Sequence, residues 1–279
     1  MENKYLLSAF ADEAGDTAEE QIEALKANDM SLIEVRLFGS QFICRMPLDE
    51  VKEIKRKFDD GGIKVWSLGS SIGKIKIYED FDAHIETLKH CLEVANILET
   101  DNMRMFSFYM PKEEDPAIYK NEVMDRMGKM LEVAKGSGIK LCHENEKGIY
   151  GDNAARCLEI LTTFPDYAGV FDPANFVQCC QDTIEAWKML KPYVKYLHIK
   201  DAVADGTVVA AGKGIGNLEY IVNDYLAGVG KVMTLEPHLT NFTAQAVLEG
   251  KEVAENKDVL SPRREAFDYA SNSLKALIK

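Results

Sequence analysis

Apolar runs of β type recur eight times along the chain, beginning near Leu6, Leu32, Lys64, Met103, Ile139, Ala168, Val194 and Val232. Most are separated by a segment whose apolar residues fall at helical spacing. This alternation is what parallel strands with crossover helices require, and eight turns of it predict an α/β fold, the (β/α)8 TIM barrel. Asp16 followed three residues later by Glu19 has capping-box spacing and announces a first helix with Ala18, Ile22 and Leu25 on one face. A second helix opens at Pro47, buries Leu48, Val51 and Phe58, and stops at Gly61-Gly62. Phe81, Ile85, Leu88, Leu92 and Ala95 mark a third; Tyr119, Val123, Met127, Met130 and Ala134 mark a fourth, closed by Gly136 and Gly138. Shorter helices fit 154–161, 184–190 and 218–226, and Pro262 starts a last one carrying Leu274 and Leu277. These stripes, the Met-rich one included, read as packing against the barrel rather than ligand surface. A doubly wound open sheet shows the same alternation. Against it, no G-x-G-x-x-G follows the first strand, and the candidate site residues come from four consecutive strands, which a barrel mouth gathers more readily.

With 279 residues and no Pro-, Ser- or Gly-rich linker, residues 1–279 are expected to form a single domain. The apolar runs stop short of the roughly 18 residues that mark a membrane span, so no membrane partner is expected. Tyr5 to Ala11 ends in an Ala-Phe-Ala that mimics a cleavage site, but the stretch is shorter than a secretory signal of roughly 15–30 residues and reads as the first strand. The six cysteines lack C-x-x-C spacing and mostly sit in apolar patterns, as buried thiols do in a reducing cytoplasm. The balance of 33 basic against 46 acidic residues leaves −13, which disfavours nucleic acid as a partner. A homo-oligomer is compatible with all of this.

Four residues end four successive predicted strands: Glu144 after 139–143, Asp172 after 169–171, His198 after 194–197 and Glu236 after 232–235. Their intervals of 28, 26 and 38 residues each approximate one strand-plus-helix unit, so a barrel would bring all four to one face. Three carboxylates crowded together repel, and a shared cation offsets that repulsion. Singly, each is weak evidence, and His198 alone would be read as a satisfied core histidine. Together they predict a site for one divalent metal ion: oxygen-rich ligation with one imidazole suits Mn²⁺, Mg²⁺ or Co²⁺ and does not exclude Zn²⁺. Such an ion polarises a carbonyl and acidifies the neighbouring C–H, which a nearby carboxylate can then deprotonate.

Glu13, Trp66, Ser67, Lys200 and Lys213 fall at or just beyond strand ends and are candidates for holding a substrate. Trp66 reads equally as packing, and Lys200 equally as a partner of Asp201 or Glu236. His143 and His238 alternate away from the ligands beside them, which points to supporting or core roles, while Glu34 and Arg36 share a strand face and could pair below the site. Two glycine-bearing loops, 69–74 and 212–216, invite a phosphate reading, but neither is a P-loop. A non-phosphorylated substrate is preferred.

The runs Leu141-Cys142-His143-Glu144-Asn145-Glu146, Val170-Phe171-Asp172-Pro173-Ala174-Asn175-Phe176, Leu197-His198-Ile199-Lys200-Asp201 and Leu235-Glu236-Pro237-His238 resemble the xylose isomerase-like TIM-barrel superfamily, particularly its sugar (phosphate) isomerases and epimerases. Phe10-Ala11-Asp12-Glu13, Ile33-Glu34-Val35-Arg36 and residues 69–74 extend the likeness over essentially the whole chain. The resemblance implies that Glu144 and Glu236 bind the metal and flank a ketose or ketose phosphate, one removing a proton to give a metal-bound enediolate and the other returning it. Return to the same carbon is epimerisation; return to its neighbour is aldose-ketose isomerisation. The same enolisation with loss of a leaving group would make a lyase or dehydratase acting on a keto-sugar or inosose. Many members place a histidine three residues after the metal aspartate, where it contacts substrate, and another two after the first glutamate; this chain has Asn175 and Glu146 there, so Asn175 is expected to touch substrate. An abasic-site endonuclease shares the barrel but uses a larger metal cluster with several extra histidines, which five histidines and a charge of −13 fit poorly, and a non-catalytic sugar-binding module would not need four metal ligands.

Overall fold

Strands β1 (Leu6–Ala9), β2 (Leu32–Val35), β3 (Lys64–Leu68), β4 (Asn102–Met105), β5 (Lys140–Glu144), β6 (Ala168–Phe171), β7 (Val194–Ile199) and β8 (Val232–Leu235) are parallel and hydrogen-bonded in the order β1-β8-β7-β6-β5-β4-β3-β2. The two ends of that order, β1 and β2, lie side by side, so the sheet curls into a nearly closed TIM barrel. These elements are those of a computed structural model, which describes residues 5–228, 230–240, 260 and 262–279.

Between and after the strands run α1 (Ala18–Ala27), α2 (Leu48–Gly61), α3 (Phe81–Ile97), α4 (Lys120–Ala134), α5 (Ala154–Thr163), α6 (Pro173–Gln178), α7 (Thr183–Leu190), α8 (Leu218–Gly228) and α9 (Arg263–Lys275). The apolar stripes do face the barrel: Leu88, Leu92 and Ala95 of α3 and Val123, Met127, Met130 and Ala134 of α4 are buried. Two boundaries differ from expectation. Helix α1 is capped by Thr17, not Asp16: the Thr17 hydroxyl accepts from the Glu20 N–H at 3.2 Å, and the Glu20 carboxylate accepts from the Thr17 N–H at 2.9 Å. Asp16 is drawn off to Arg263 at 2.8 Å. Helix α9 ends before Leu277, which lies past its C-cap at Ala276. The Gly61-Gly62 stop is as expected, Gly62 taking the left-handed cap conformation (φ 70°) that a Cβ disfavours. Among the described residues, no helix is long and apolar enough to cross a membrane.

The interior changes character from floor to mouth, because residues two apart along a strand share a face. At the floor, Leu32, Cys142, Val170, Tyr196 and Val232 form an apolar layer with half-buried Trp66 and Ala168 packed on it. Two residues further along the same strands come Glu34, Glu144, Asp172, His198 and Thr234, all buried and polar. The alternate positions, such as Ile33, Leu141, Phe171, Leu197 and Met233, face outward into the main core under the helices. A dry plug below therefore supports a charged layer above, whose unpaired members would be expensive to bury.

Candidate metal centre

The charged layer brings Glu144, Asp172, His198 and Glu236 together: one ligand atom from each lies within 4.8 Å of every other. Each arrives from the C-terminal end of its own strand, β5 through β8. Asp172 is fixed by an element that sequence reasoning missed, the short helix α6. Pro173 opens it, and the Asp172 Oδ1 caps it by accepting from the Asn175 N–H at 3.0 Å, which leaves Oδ2 for the centre. Asn145 locks the same residue from behind, exchanging two 2.9 Å bonds with the Asp172 backbone.

His198 presents Nδ1 to the centre, 2.9 Å from Glu144 Oε1 and 3.4 Å from Glu236 Oε2. Its Nε2 lies 3.1 Å from Glu34 Oε2. A carboxylate only accepts, so Nε2 donates to Glu34 and Nδ1 to Glu144; a metal ion at Nδ1 would take the place of the second proton and leave Nε2–H on Glu34. Glu34 in turn accepts from the Thr234 hydroxyl at 2.9 Å, from Tyr196 at 2.9 Å and from Ser67 at 3.3 Å. Burial pushes the Glu34 carboxyl up, but His198, then Arg104 and the Thr234 hydroxyl, outweigh it and hold it below the usual range. Burial likewise pulls His198 down, and the Glu144 and Glu34 carboxylates lift it well above an ordinary histidine.

Cations complete the layer. Arg104 Nη1 lies 3.2 Å from Glu144 Oε2, and Arg36 reaches Glu236 Oε1 at 3.1 Å and Asp12 Oδ2 at 3.0 Å. Both guanidinium groups stack on Phe10, at 4.1 Å for Arg36 and 4.9 Å for Arg104. Lys200 Nζ sits 2.8 Å from Asp172 Oδ2 and 3.2 Å from Glu236 Oε2. At the rim, Lys74 pairs with Glu146 at 2.9 Å.

The residues present fit a divalent cation. Six buried carboxylates, Asp12, Glu13, Glu34, Glu144, Asp172 and Glu236, meet three buried permanent cations, Arg36, Arg104 and Lys200, which leaves an excess of three negative charges before either histidine is counted. Burial, followed by the attraction of Lys200 and the repulsion of Glu236 and Glu144, sets the Asp172 carboxyl at about 6. Asp172 Oδ2, though faced by Lys200, accepts no hydrogen bond among the described residues, and Glu144 turns Oε1 to His198 while Arg104 faces its Oε2. Buried carboxylate oxygens with unspent lone pairs beside an imidazole nitrogen are the donor set that Mn²⁺, Co²⁺ or Zn²⁺ takes.

The remaining substrate candidates separate. Asn175 and Lys200 stand in the cluster, the Asn175 amide 3.5 Å from Glu144 Oε1. Glu13 lies at its edge, 3.4 Å from both Arg36 and His238. Trp66 and Ser67 belong below it: the bulge between Ile33 and Glu34 against β3 leaves Trp66 edge-on to Tyr196 in the floor layer, and the Ser67 hydroxyl is spent on Glu34. Lys213 is exposed on its loop. His143 turns outward to Ser107 Oγ at 2.9 Å, whereas His238 comes back to the site, its Nε2 3.4 Å from Glu236 Oε1. Arg104 went unnoticed in the sequence. Its signal was an arginine between Met103 and Met105, on the inward parity of a strand. The two glycine-bearing loops are already satisfied internally. Asp201 accepts from the N–H groups of Gly212, Gly214 and Gly216 at 3.0, 3.0 and 2.9 Å, and the Gly73 N–H donates to His84 at 2.8 Å.

Residues 22–245 match the family described as "Xylose isomerase-like TIM barrel". Among solved structures, the chain is similar to an L-ribulose 3-epimerase (15% identity, 97% of this chain and 95% of that one covered, TM-score 0.76). It is similar also to the IOLI protein with a bound zinc atom (15% identity, 98% and 97% covered, TM-score 0.75) and to the probable 3-DHS dehydratase AsbF of Bacillus anthracis (15% identity, 97% and 98% covered, TM-score 0.74). At this identity the likeness shows the fold. No curated protein sequence matches the chain.

Proposed function

We propose that this chain, which belongs to the xylose isomerase-like TIM-barrel family, is a divalent-metal-dependent sugar isomerase or epimerase acting on a ketose. The observation that carries the reading is the convergence of Glu144, Asp172, His198 and Glu236 within 4.8 Å at the barrel mouth. A cation bound there would supply Lewis acidity that draws electrons from a substrate carbonyl and acidifies the adjacent C–H.

The chain's own residues do the rest. Glu144 and Glu236 rise from β5 and β8, on different sides of the mouth, and each keeps its outer oxygen on an arginine, Arg104 or Arg36. That anchoring supports reading the two carboxylates as the acid-base pair. One removes the proton beside the carbonyl, and the other delivers a proton from the far side. Asn175 and Lys200 offer donors to the substrate oxygens. Return of the proton to the same carbon inverts it; return to the neighbouring carbon moves the carbonyl.

The substrate is proposed to lack a phosphate, because the amides of loop 212–216 are turned onto Asp201 and Gly73 onto His84. A second reading, elimination from a keto-sugar, has one observation in its favour: the His238 ring lies 3.4 Å from Glu236, where it could protonate a departing hydroxyl.

The test is exchange. Purified protein with Mn²⁺ or Co²⁺ should incorporate solvent deuterium beside the carbonyl of at least one member of a ketose panel. Product mass then separates rearrangement, which is mass-neutral apart from deuterium, from loss of water. No exchange with any ketose or ketose phosphate would end the isomerase reading.

A further inference from the structure

The cations around the centre are not equivalent, because they hold different oxygens. Arg104 faces Glu144 Oε2, while Glu144 Oε1 is the oxygen turned to His198 Nδ1. Arg36 holds Glu236 Oε1, while Glu236 Oε2 is the one turned to His198. Both arginines therefore grip the outer oxygens and leave the inner ones in place. Lys200 does the opposite. Its Nζ hydrogen-bonds to Glu236 Oε2 at 3.2 Å and lies 2.8 Å from Asp172 Oδ2, the oxygen left over once Oδ1 has capped α6. Lys200 follows His198 by two residues, so both project from one face of β7 toward the same point, and its side chain is 5% exposed.

We propose that Lys200 is an internal competitor for the metal. Its ammonium neutralises the two inner oxygens that a divalent cation needs and has to give way when one binds, and this keeps metal binding weak and reversible. The proposal rests on the metal reading above. Removing the Lys200 charge should tighten the metal, where a residue with a merely structural role would loosen it on removal. The strength of the effect follows from proximity: an ammonium sharing ligand oxygens with a divalent ion is only a few ångströms from it, shielded from solvent.

The experiment is calorimetric titration of Mn²⁺ alone into chelator-stripped full-length protein at fixed pH and salt, for wild type, Lys200→Met and Arg104→Met. Lys200→Met is expected to bind Mn²⁺ at least tenfold more tightly than wild type and to melt lower without metal, the deficit closing at saturating Mn²⁺. Arg104→Met removes the same charge from an outer oxygen and is expected to gain no more than about threefold. Equal or weaker Mn²⁺ binding by Lys200→Met overturns the proposal, as does equal tightening by Arg104→Met, since bulk charge and not shared oxygens would then set affinity. Should Lys200→Met unfold on stripping, its refolding at Mn²⁺ concentrations below the wild-type Kd supports the competition, and failure to fold in saturating Mn²⁺ refutes it. Wild type that binds none of Mn²⁺, Co²⁺ and Zn²⁺ removes the metal reading itself.

Discussion

Glu34 is not one of the four candidate ligands, yet the geometry makes it the residue that decides which nitrogen His198 offers. Its two oxygens accept four hydrogen bonds: Tyr196 at 2.9 Å and Ser67 at 3.3 Å on Oε1, Thr234 at 2.9 Å and His198 Nε2 at 3.1 Å on Oε2. In Glu34→Gln one of those oxygens becomes an NH2. If it faces Tyr196 and Ser67, their hydroxyls can rotate to accept, and His198 keeps Nε2–H with a weaker acceptor. If it faces His198, Nε2 must accept instead, the proton moves to Nδ1, and the nitrogen beside Glu144 can no longer ligate a metal.

Removal of partners that orient a metal-bound histidine costs about 10- to 100-fold in affinity, or about 1.4–2.7 kcal/mol. Stability should fall as well. A hydrogen bond to a charged group contributes about 1.5–3 kcal/mol, but the variant also escapes the cost of burying a carboxylate, so a net loss of about 2 kcal/mol is expected. For a chain of this size that is a drop of roughly 4–8 °C in Tm. Calorimetric titration of Mn²⁺ into stripped protein reads the first quantity and a thermal melt the second. Thr234→Val, which removes one donor and leaves the charge, should lose less than half as much metal affinity. Glu34→Gln with wild-type Mn²⁺ affinity would show that Glu34 does not govern the His198 tautomer, and that part of the site's logic would have to be abandoned.

Glu144→Gln and Glu236→Gln should each lower turnover by at least a thousandfold while substrate affinity, measured with the metal present, changes by less than about tenfold; near-normal turnover in either removes the acid-base assignment. Gly73→Ala should cost about 3–5 kcal/mol in urea unfolding, because φ is 86° and a Cβ would stand 2.0 Å from the Phe106 carbonyl oxygen; a loss below about 1 kcal/mol would mean the loop relaxes freely. Asp201→Asn replaces one of two oxygens that serve four amides, Ala202 N–H among them, so it should destabilise by about 2–4 kcal/mol and leave Mn²⁺ affinity unchanged. His84 is held neutral at about 4, first by burial and then by Arg126, below its ordinary 6.5. A base depressed in this way adds stability that is complete above pH 6.5 and is lost as pH falls toward 4, by about 3 kcal/mol in all. His84→Gln should flatten that part of the urea stability profile, and an unchanged slope between pH 6.5 and 4 would assign the acid sensitivity elsewhere.

The barrel was legible because its signal is local and repeated: eight apolar runs, each closed by a helix whose stripe meets the outward parity of the strand before it. The four candidate ligands were legible because a parallel barrel turns position along a strand into height: Glu144, Asp172 and His198 each stand two residues above the apolar floor, and Glu236 stands one inward step above Thr234. What could not be read were closures between distant segments. Thr17, not Asp16, caps α1, and the Asp16 carboxylate pairs instead with Arg263 from the last helix. Loop 212–216 resembled an anion cradle, and it is one, but its anion is Asp201 of the same chain.

The same limit explains the misplacement of Trp66 and Ser67. Their nominal position at the end of β3 suggests the mouth, but the bulge at Ile33/Glu34 shifts the register so that Ser67 stands level with Glu34. Height in the barrel is therefore set by strand stagger as well as by count from the strand's start, and stagger is a property of the closed sheet. That also accounts for Arg36 and Arg104. Counted along the chain, Arg104 is an isolated charge and Arg36 looks like a partner of Glu34; closure stacks both on Phe10 and turns each toward a different glutamate, Arg36 to Glu236 and Arg104 to Glu144. A charge on the inward parity of a buried strand is costly unless something across the barrel answers it. In this chain the sequence positions that look most expensive, Glu34, Arg36 and Arg104, are the ones that aim the ligands.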